Sequence, residues 1–123
     1  FDTTTAMVEK KANIDAFVSL ESLSGSEIAE VLQRQKVTDK VIVAMDTAPT
    51  TLAWIEKGVI SATIMQKPFT MGYYGLRALA EIVLDETAKA RTMSAADPQS
   101  PYPMFIDTGT MLVDKSNLAE LKK

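Results

Sequence analysis

The sequence predicts an α/β fold, a mostly parallel sheet with helices on both of its faces. Three observations carry this. Apolar, strand-like runs alternate with helical segments four times along the chain, the pattern of strands joined by crossover helices. The run VIVAM at Val41–Met45 is rich in β-branched residues and lacks alternation, as in a strand buried on both faces. Pro49, Gly58 and Pro68 stand where such helices should begin and end. A chain of 123 residues with 46% apolar residues supports one domain with a sizeable core.

In chain order, residues 3–11 read as a short helix with Ala6, Met7 and Lys10 at helical spacing. Residues 14–19, IDAFVS, are long enough for a buried strand. Ser24-Gly25-Ser26-Glu27 fits a capping box, Ser24 capping the helix and Glu27 reaching back to its amide. That helix is expected to run to about Gln35 with Ile28, Val31 and Leu32 on one face. Asp39-Lys40 closes the loop into Val41–Met45.

After Asp46, Pro49 suits a first helical turn, where its missing N–H costs nothing. Leu52 and Ile55 point inward, and Gly58 is the left-handed stop. Residues 60–65 form the next strand. Pro68 opens the longest helix, to about Asp85, with Gly72, Gly75, Leu76, Leu79, Ile82 and Val83 as its inner stripe. Each glycine there costs roughly 1 kcal/mol against alanine, which a close approach of helix to sheet would explain. Residues 86–103, with three prolines, form a surface connection. Residues 104–113, MFIDTGTMLV, read as extended with a bend at Gly109, and residues 116–122 as a last short helix.

Composition removes several functions. A net charge of −3 leaves no basic surface for nucleic acid or anionic lipid. With no histidine and no cysteine, most zinc, iron and copper sites, thiol nucleophiles and Ser-His-Asp triads are gone together. No apolar run reaches the roughly 18 residues of a membrane span. The opening FDTTTAMVEKKAN lacks a signal peptide's basic start and apolar middle. It also lacks an initiating methionine, so the chain is expected to be part of a longer one.

What remains is an edge. Parallel strands end on the same side of their sheet, and ligands of open α/β folds bind beyond those carboxyl ends. Three successive strands here end in Glu21, Asp46 and Gln66. A carboxylate accepts two hydroxyls and fixes their geometry, while a carboxamide both donates and accepts. The structural alternatives are a helix cap or loop hydrogen bond for Asp46, a loop polar residue for Gln66 and a solvated charge for Glu21. Lys67-Pro68-Phe69 matches a tripeptide of response-regulator receiver domains, but only one helix and one strand separate Asp46 from Lys67. The early acidic pair of a receiver is missing too, so that match is a coincidence.

At these residues the chain resembles a known family. NIDAFVSLESLSGSEIAEVLQ, VIVAMDTAPTTLAWIEKGVISATIMQKPFTMGYYGLRAL and FIDTGTMLVDKSN resemble, in order, the carboxy-terminal lobe of type I periplasmic sugar-binding proteins. Among these, the ribose-binding-like solute receptors of ABC importers are most similar, over nearly the whole chain from Asn13 onward. The resemblance implies a Rossmann-like three-layer lobe, one of two that close on a ligand about a three-strand hinge. Residues 104–115 would be one hinge crossing, with Gly109 in the bending region. It implies that Asp46 and Gln66 contact a sugar or similar polyhydroxylated molecule. The family's first strand usually ends in Asn-Asp; here Leu20-Glu21 stands in its place, so that contact is missing or has moved to Glu21. This departure leaves the sugar's identity open and makes ribose a poor fit.

The resemblance further implies a periplasmic or extracellular-surface location, with an amino-terminal lobe and a membrane-embedded ABC permease as partners. It implies no cofactor, no metal, no catalytic residue and no nucleic-acid contact. Effector domains of lac-repressor-type regulators share the fold, so a regulator's ligand-binding lobe is the alternative. A small α/β enzyme is a third class, disfavoured by the lack of histidine, cysteine and a phosphate-cradling glycine loop.

Overall fold

The computed structural model describes residues 1–10, 13–84 and 105–122. It comprises two compact units, Phe1–Gln66 with Thr110–Lys123 and Lys67–Gly109. The proline-rich connection expected at residues 86–103 lies outside the described residues.

The first unit holds α1 (Asp2–Glu9), β1 (Ala16–Val18), α2 (Ser24–Arg34), β2 (Val41–Met45), α3 (Pro49–Glu56), β3 (Ala62–Met65), β4 (Met111–Asp114) and a 3-10 turn, Leu118–Lys122. The strands form one sheet in the order β1-β2-β3-β4. β1, β2 and β3 are parallel, with Val18 opposite Val43 and Met45 opposite Ile64. β4 runs antiparallel to β3, with Met65 opposite Met111. This is the mostly parallel α/β architecture that strand–helix alternation predicts.

The core follows from the helix periodicities. Ala29, Val31 and Leu32 of α2 and Ile55 of α3 are buried, and Leu32 and Ile55 cluster with Ile42, Ala44, Ile60, Val113 and Leu118. Each large aliphatic side chain buried in this way contributes about 1.5–3 kcal/mol. β2 departs from its expected burial on both faces. Ile42 and Ala44 are buried, Val43 and Met45 half-buried, and Val41 is 47% exposed. A β-branched run reports strand propensity, and only its partners decide how much of each face is covered. In α1 the inward residues are Thr4 and Val8, while Ala6, Met7 and Lys10 are exposed.

Gly25 sets how closely α2 can lie on the sheet. A Cβ there would fall 2.6 Å from Ala44 Cβ and 3.1 Å from Ser19 Oγ, so only glycine permits this approach. The start of α2 differs from the expected capping box. Ser24 is the first helical residue and Leu23 the cap position, and Glu27 instead meets the Phe1 amine at 3.5 Å.

Both helices end in the same motif. After α2, Lys36 N–H donates to Gln33 O and Val37 N–H to Leu32 O, with Lys36 at φ 57°. After α3, Gly58 N–H donates to Ile55 O and Val59 N–H to Trp54 O, with Gly58 at φ 77°. These are paired Schellman bonds closed by a left-handed residue. Gly58 was foreseeable; Lys36 was not, because lysine gives no signal for a conformation that disfavours it.

In the second unit, the described residues form α4, Pro68–Leu84, and none of its residues is buried. Arg77 Nε donates to Glu81 Oε1 at 2.9 Å, one turn apart. Among the described residues, and apart from the helix's own backbone, no heavy atom lies within 4 Å of where a Cβ would sit on Gly72 or Gly75.

Two substitutions test the backbone assignments by urea melting. Gly25→Ala should destabilise the chain by roughly 1–3 kcal/mol, the usual penalty of forcing atoms into a filled contact. Lys36→Gly should stabilise it by about 1 kcal/mol, because glycine enters the left-handed region freely.

Candidate functional site

Since β1, β2 and β3 are parallel, the residues that follow them share one edge of the sheet. The edge is built outward from β2. Asp46 N–H donates to Ile64 O at 2.9 Å, carrying the ladder one residue past Met45. Asp46 then adopts φ 66°, a left-handed conformation that aspartate tolerates better than most residues. The chain turns there and enters α3 at Pro49, whose cap position, Ala48, offers no side-chain acceptor.

The Asp46 side chain is half-buried and meets its expected partner. Gln66 Nε2 donates to Asp46 Oδ1 at 3.0 Å. This bond fixes which way the carboxamide faces, since an ionised carboxylate can only accept and so must meet the amide N–H and not its carbonyl. Asp46 Oδ2, the Gln66 carbonyl and the second Gln66 N–H remain for other partners. A further bond runs from Thr63 Oγ1 to Asp46 O at 2.7 Å. Thr63 was not singled out in the sequence, because a β-branched residue inside a strand reads as packing alone.

Glu21 lies on the same edge but has a local role. Its Oε2 accepts from Leu23 N–H at 3.1 Å, Ser24 N–H at 3.1 Å and Ser24 Oγ at 2.9 Å. It therefore does for α2 what the expected capping box would have done, from three residues before the helix. The Ser24 hydroxyl first, then the Leu23 amide, hold its carboxyl below the usual glutamate range. The structure thus brings Asp46 and Gln66 together and gives Glu21 to the start of α2. Its Oε1 takes no part in those three bonds.

The two helix starts on this edge are joined through hydroxyls. Ser26 Oγ lies 3.2 Å from Thr50 Oγ1 and 3.1 Å from Thr51 Oγ1. Trp54 and Lys57 stack as a cation–π pair, the ammonium 4.4 Å from the ring centroid. A hollow of about 400 Å³ lined by Met7, Val8, Phe17, Val37 and Lys40 lies instead at the end where β1 and β2 begin. Asn13, Ile14 and Asp39 complete its lining, and its polar pair, Asp39 with Lys40 at 3.1 Å, joins adjacent residues of one loop and not the ends of two strands. Among the described residues, no three acidic side chains gather to hold a metal ion.

The family described as periplasmic binding protein domain matches residues 1–87, which include Glu21, Asp46 and Gln66. No curated protein gives a significant match. Among solved structures, GanP, a glucose-galactose binding protein from Geobacillus stearothermophilus, superposes with a TM-score of 0.75 at 25% identity over 95% of this chain. AraP, an arabinose binding protein from the same organism, gives 0.69 at 21% identity over 97%. A carbohydrate transporter solute binding protein from Agrobacterium radiobacter, in complex with D-arabinose, gives 0.71 at 19% identity over 98%. The last two identities speak for the fold alone. This chain spans 37%, 39% and 37% of those three proteins. With the family profile covering all three parallel strands and the edge they share, the chain belongs to the periplasmic binding protein domain family.

Proposed function

We propose that this chain is the carboxy-terminal lobe of a solute receptor that binds a sugar or similar polyhydroxylated molecule for an ABC import system. The observation that carries the reading is the Asp46–Gln66 pair, joined at 3.0 Å where two parallel strands end. A carboxylate whose orientation is already fixed suits two adjacent hydroxyls, and the free carboxamide atoms suit a third. The family match and the sugar-binding proteins that share this fold support the same ligand class. Glu21 is a third candidate contact, through the oxygen that does not cap α2.

The function is binding without a chemical step. A single lobe covers one side of a ligand, so the working receptor needs an amino-terminal lobe to enclose it. Residues 104–115 form one hinge crossing in this reading. Gly109 supports that role: its φ is +82°, and its N–H donates to Asp107 Oδ1 at 2.8 Å, a tight turn just before β4. The remaining partner is a permease in the membrane, and the place of action is the periplasm or the outer cell surface.

Thermal-shift screening of the full-length protein against monosaccharides, polyols and amino acids tests the reading. A ligand that binds only the folded state raises the melting temperature by mass action. A rise with a sugar or polyol is expected; no shift with any of them would overturn the proposal.

Two variants divide the edge into its parts. Asp46→Ala should cost roughly 1.5–3 kcal/mol of binding, the range for a hydrogen bond to a charged group. Calorimetric titration measures it, and unchanged affinity removes Asp46 from the ligand. Glu21→Gln should act mainly on stability. Because folding lowers the Glu21 pKa, its contribution is fully present above the unfolded pKa and is lost as pH falls through the folded one. The stability gap between wild type and Glu21→Gln, followed by urea melts from about pH 7 downward, should therefore close in acid.

A further inference from the structure

Asp46 is bound on its backbone as well as its carboxylate, and the backbone bond comes from a buried hydroxyl. We propose that Thr63 is a positioning residue, which holds Asp46 in the left-handed conformation that presents its carboxylate to the ligand. The inference rests on the proposed role of Asp46 as a ligand contact.

The register explains why Thr63 can do this. It pairs with Ala44, two residues before Asp46, and its Oγ1 reaches the Asp46 carbonyl at 2.7 Å. One residue on, Ile64 O accepts from Asp46 N–H at 2.9 Å. Three residues on, Gln66 takes the carboxylate at 3.0 Å. β3 and the residue after it thus hold Asp46 at its amide, its carbonyl and its side chain. Two of these bonds act on the peptide groups either side of its φ and ψ.

Burial sharpens the assignment. Thr63 is 0% exposed, at a site where valine would fill almost the same volume. A buried hydroxyl without a partner is unfavourable, so its presence needs a specific bond, and that bond is to Asp46 O. The conformation it secures disfavours a side chain, and persists where the surroundings over-determine it. Fixing it before the ligand arrives removes an ordering cost from binding. Thr63 therefore acts on affinity through Asp46 without touching the ligand.

The test uses the full-length protein and a panel of D-glucose, D-galactose, D-fucose, D-arabinose and D-ribose. The sugar giving the largest thermal shift with wild type becomes the probe for calorimetric titration. Thr63→Val should weaken binding of that probe roughly tenfold, about the effect of losing one neutral hydrogen bond. Thr63→Ser, which keeps the hydroxyl, should restore most of the affinity. A purely structural role would lower the melting temperature of the sugar-free protein and leave probe affinity unchanged. Wild-type affinity in Thr63→Val therefore overturns the inference whatever the melting temperature does. Should that variant fail to fold, Thr63→Cys replaces it, with a weak donor and an affinity expected below that of Thr63→Ser; equal affinities overturn the inference. An effect of Asp46→Ala without one from Thr63→Val rejects Thr63 alone. No effect of Asp46→Ala removes Asp46 from the ligand and overturns the inference with it, whereas no shift with any of the five sugars, nor with the wider panel of polyols and amino acids, rejects the ligand-binding reading as well.

Discussion

The pairing of β2 with β3 is the constraint on which this structure turns. Met45 lies opposite Ile64 in a parallel register, and the next amide, that of Asp46, still finds the Ile64 carbonyl. A slip of β2 by one residue would take Ala44 out of register with Thr63 and send the buried residues of β2 to the opposite face. Such a slip would strip Ile42 and Ala44 from the core while separating Asp46 from Gln66. Core and site are therefore specified together, because the register that buries Ile42 and Ala44 also brings the polar pair into contact.

The approach of α2 to β2 is a second fixed distance in the same unit. Gly25 lies so near Ala44 that no side chain fits between them, and Ser19 Oγ is sealed beneath without a hydrogen-bond partner among the described residues. The helix start directly above is satisfied by the Glu21 carboxylate. A carboxylate at the positive end of a helix completes its unpaired amides and complements its dipole. This occupies the place where an anionic ligand would otherwise find amides ready to receive it. The edge then offers acceptors first: Asp46 Oδ2, the Gln66 carbonyl and the remaining oxygen of Glu21.

How much of this the sequence revealed depends on how local each signal is. Val41–Met45, Pro49 and Gly58 were legible because each reports its own backbone preference: β-branching, a fixed φ and freedom at positive φ. The positions of Asp46 and Gln66 were legible because parallel strands must end on one side. The left-handed turns at Lys36 and Asp46 were not, since neither residue type demands that conformation. Tertiary bonds impose it, such as Val37 N–H to Leu32 O and Thr63 Oγ1 to Asp46 O. The Ser24–Glu27 pattern misled for a related reason. Glu21 supplied the same acceptor from outside the motif, leaving Glu27 free to meet the amino terminus. Gly72 and Gly75 fit a packing rule in sequence, yet no close neighbour among the described residues explains them.

The acceptor-rich edge has a consequence for ligand chemistry. A ligand carboxylate or phosphate would bring negative charge beside the carboxylates of Asp46 and Glu21. A sugar hydroxyl donates to a carboxylate and accepts from an amide, so in the proposed site it would meet Asp46 Oδ2 and the remaining Gln66 N–H with both capacities used. Hydroxyls on adjacent ring carbons can do this together, whereas a lone alcohol satisfies one group and leaves the other desolvated. Because a buried polar group left unpaired costs more than a formed bond gains, the pair discriminates by penalty as much as by attraction. In the proposed site, that asymmetry would let two side chains held in fixed orientation favour a neutral polyol over an acid of similar size.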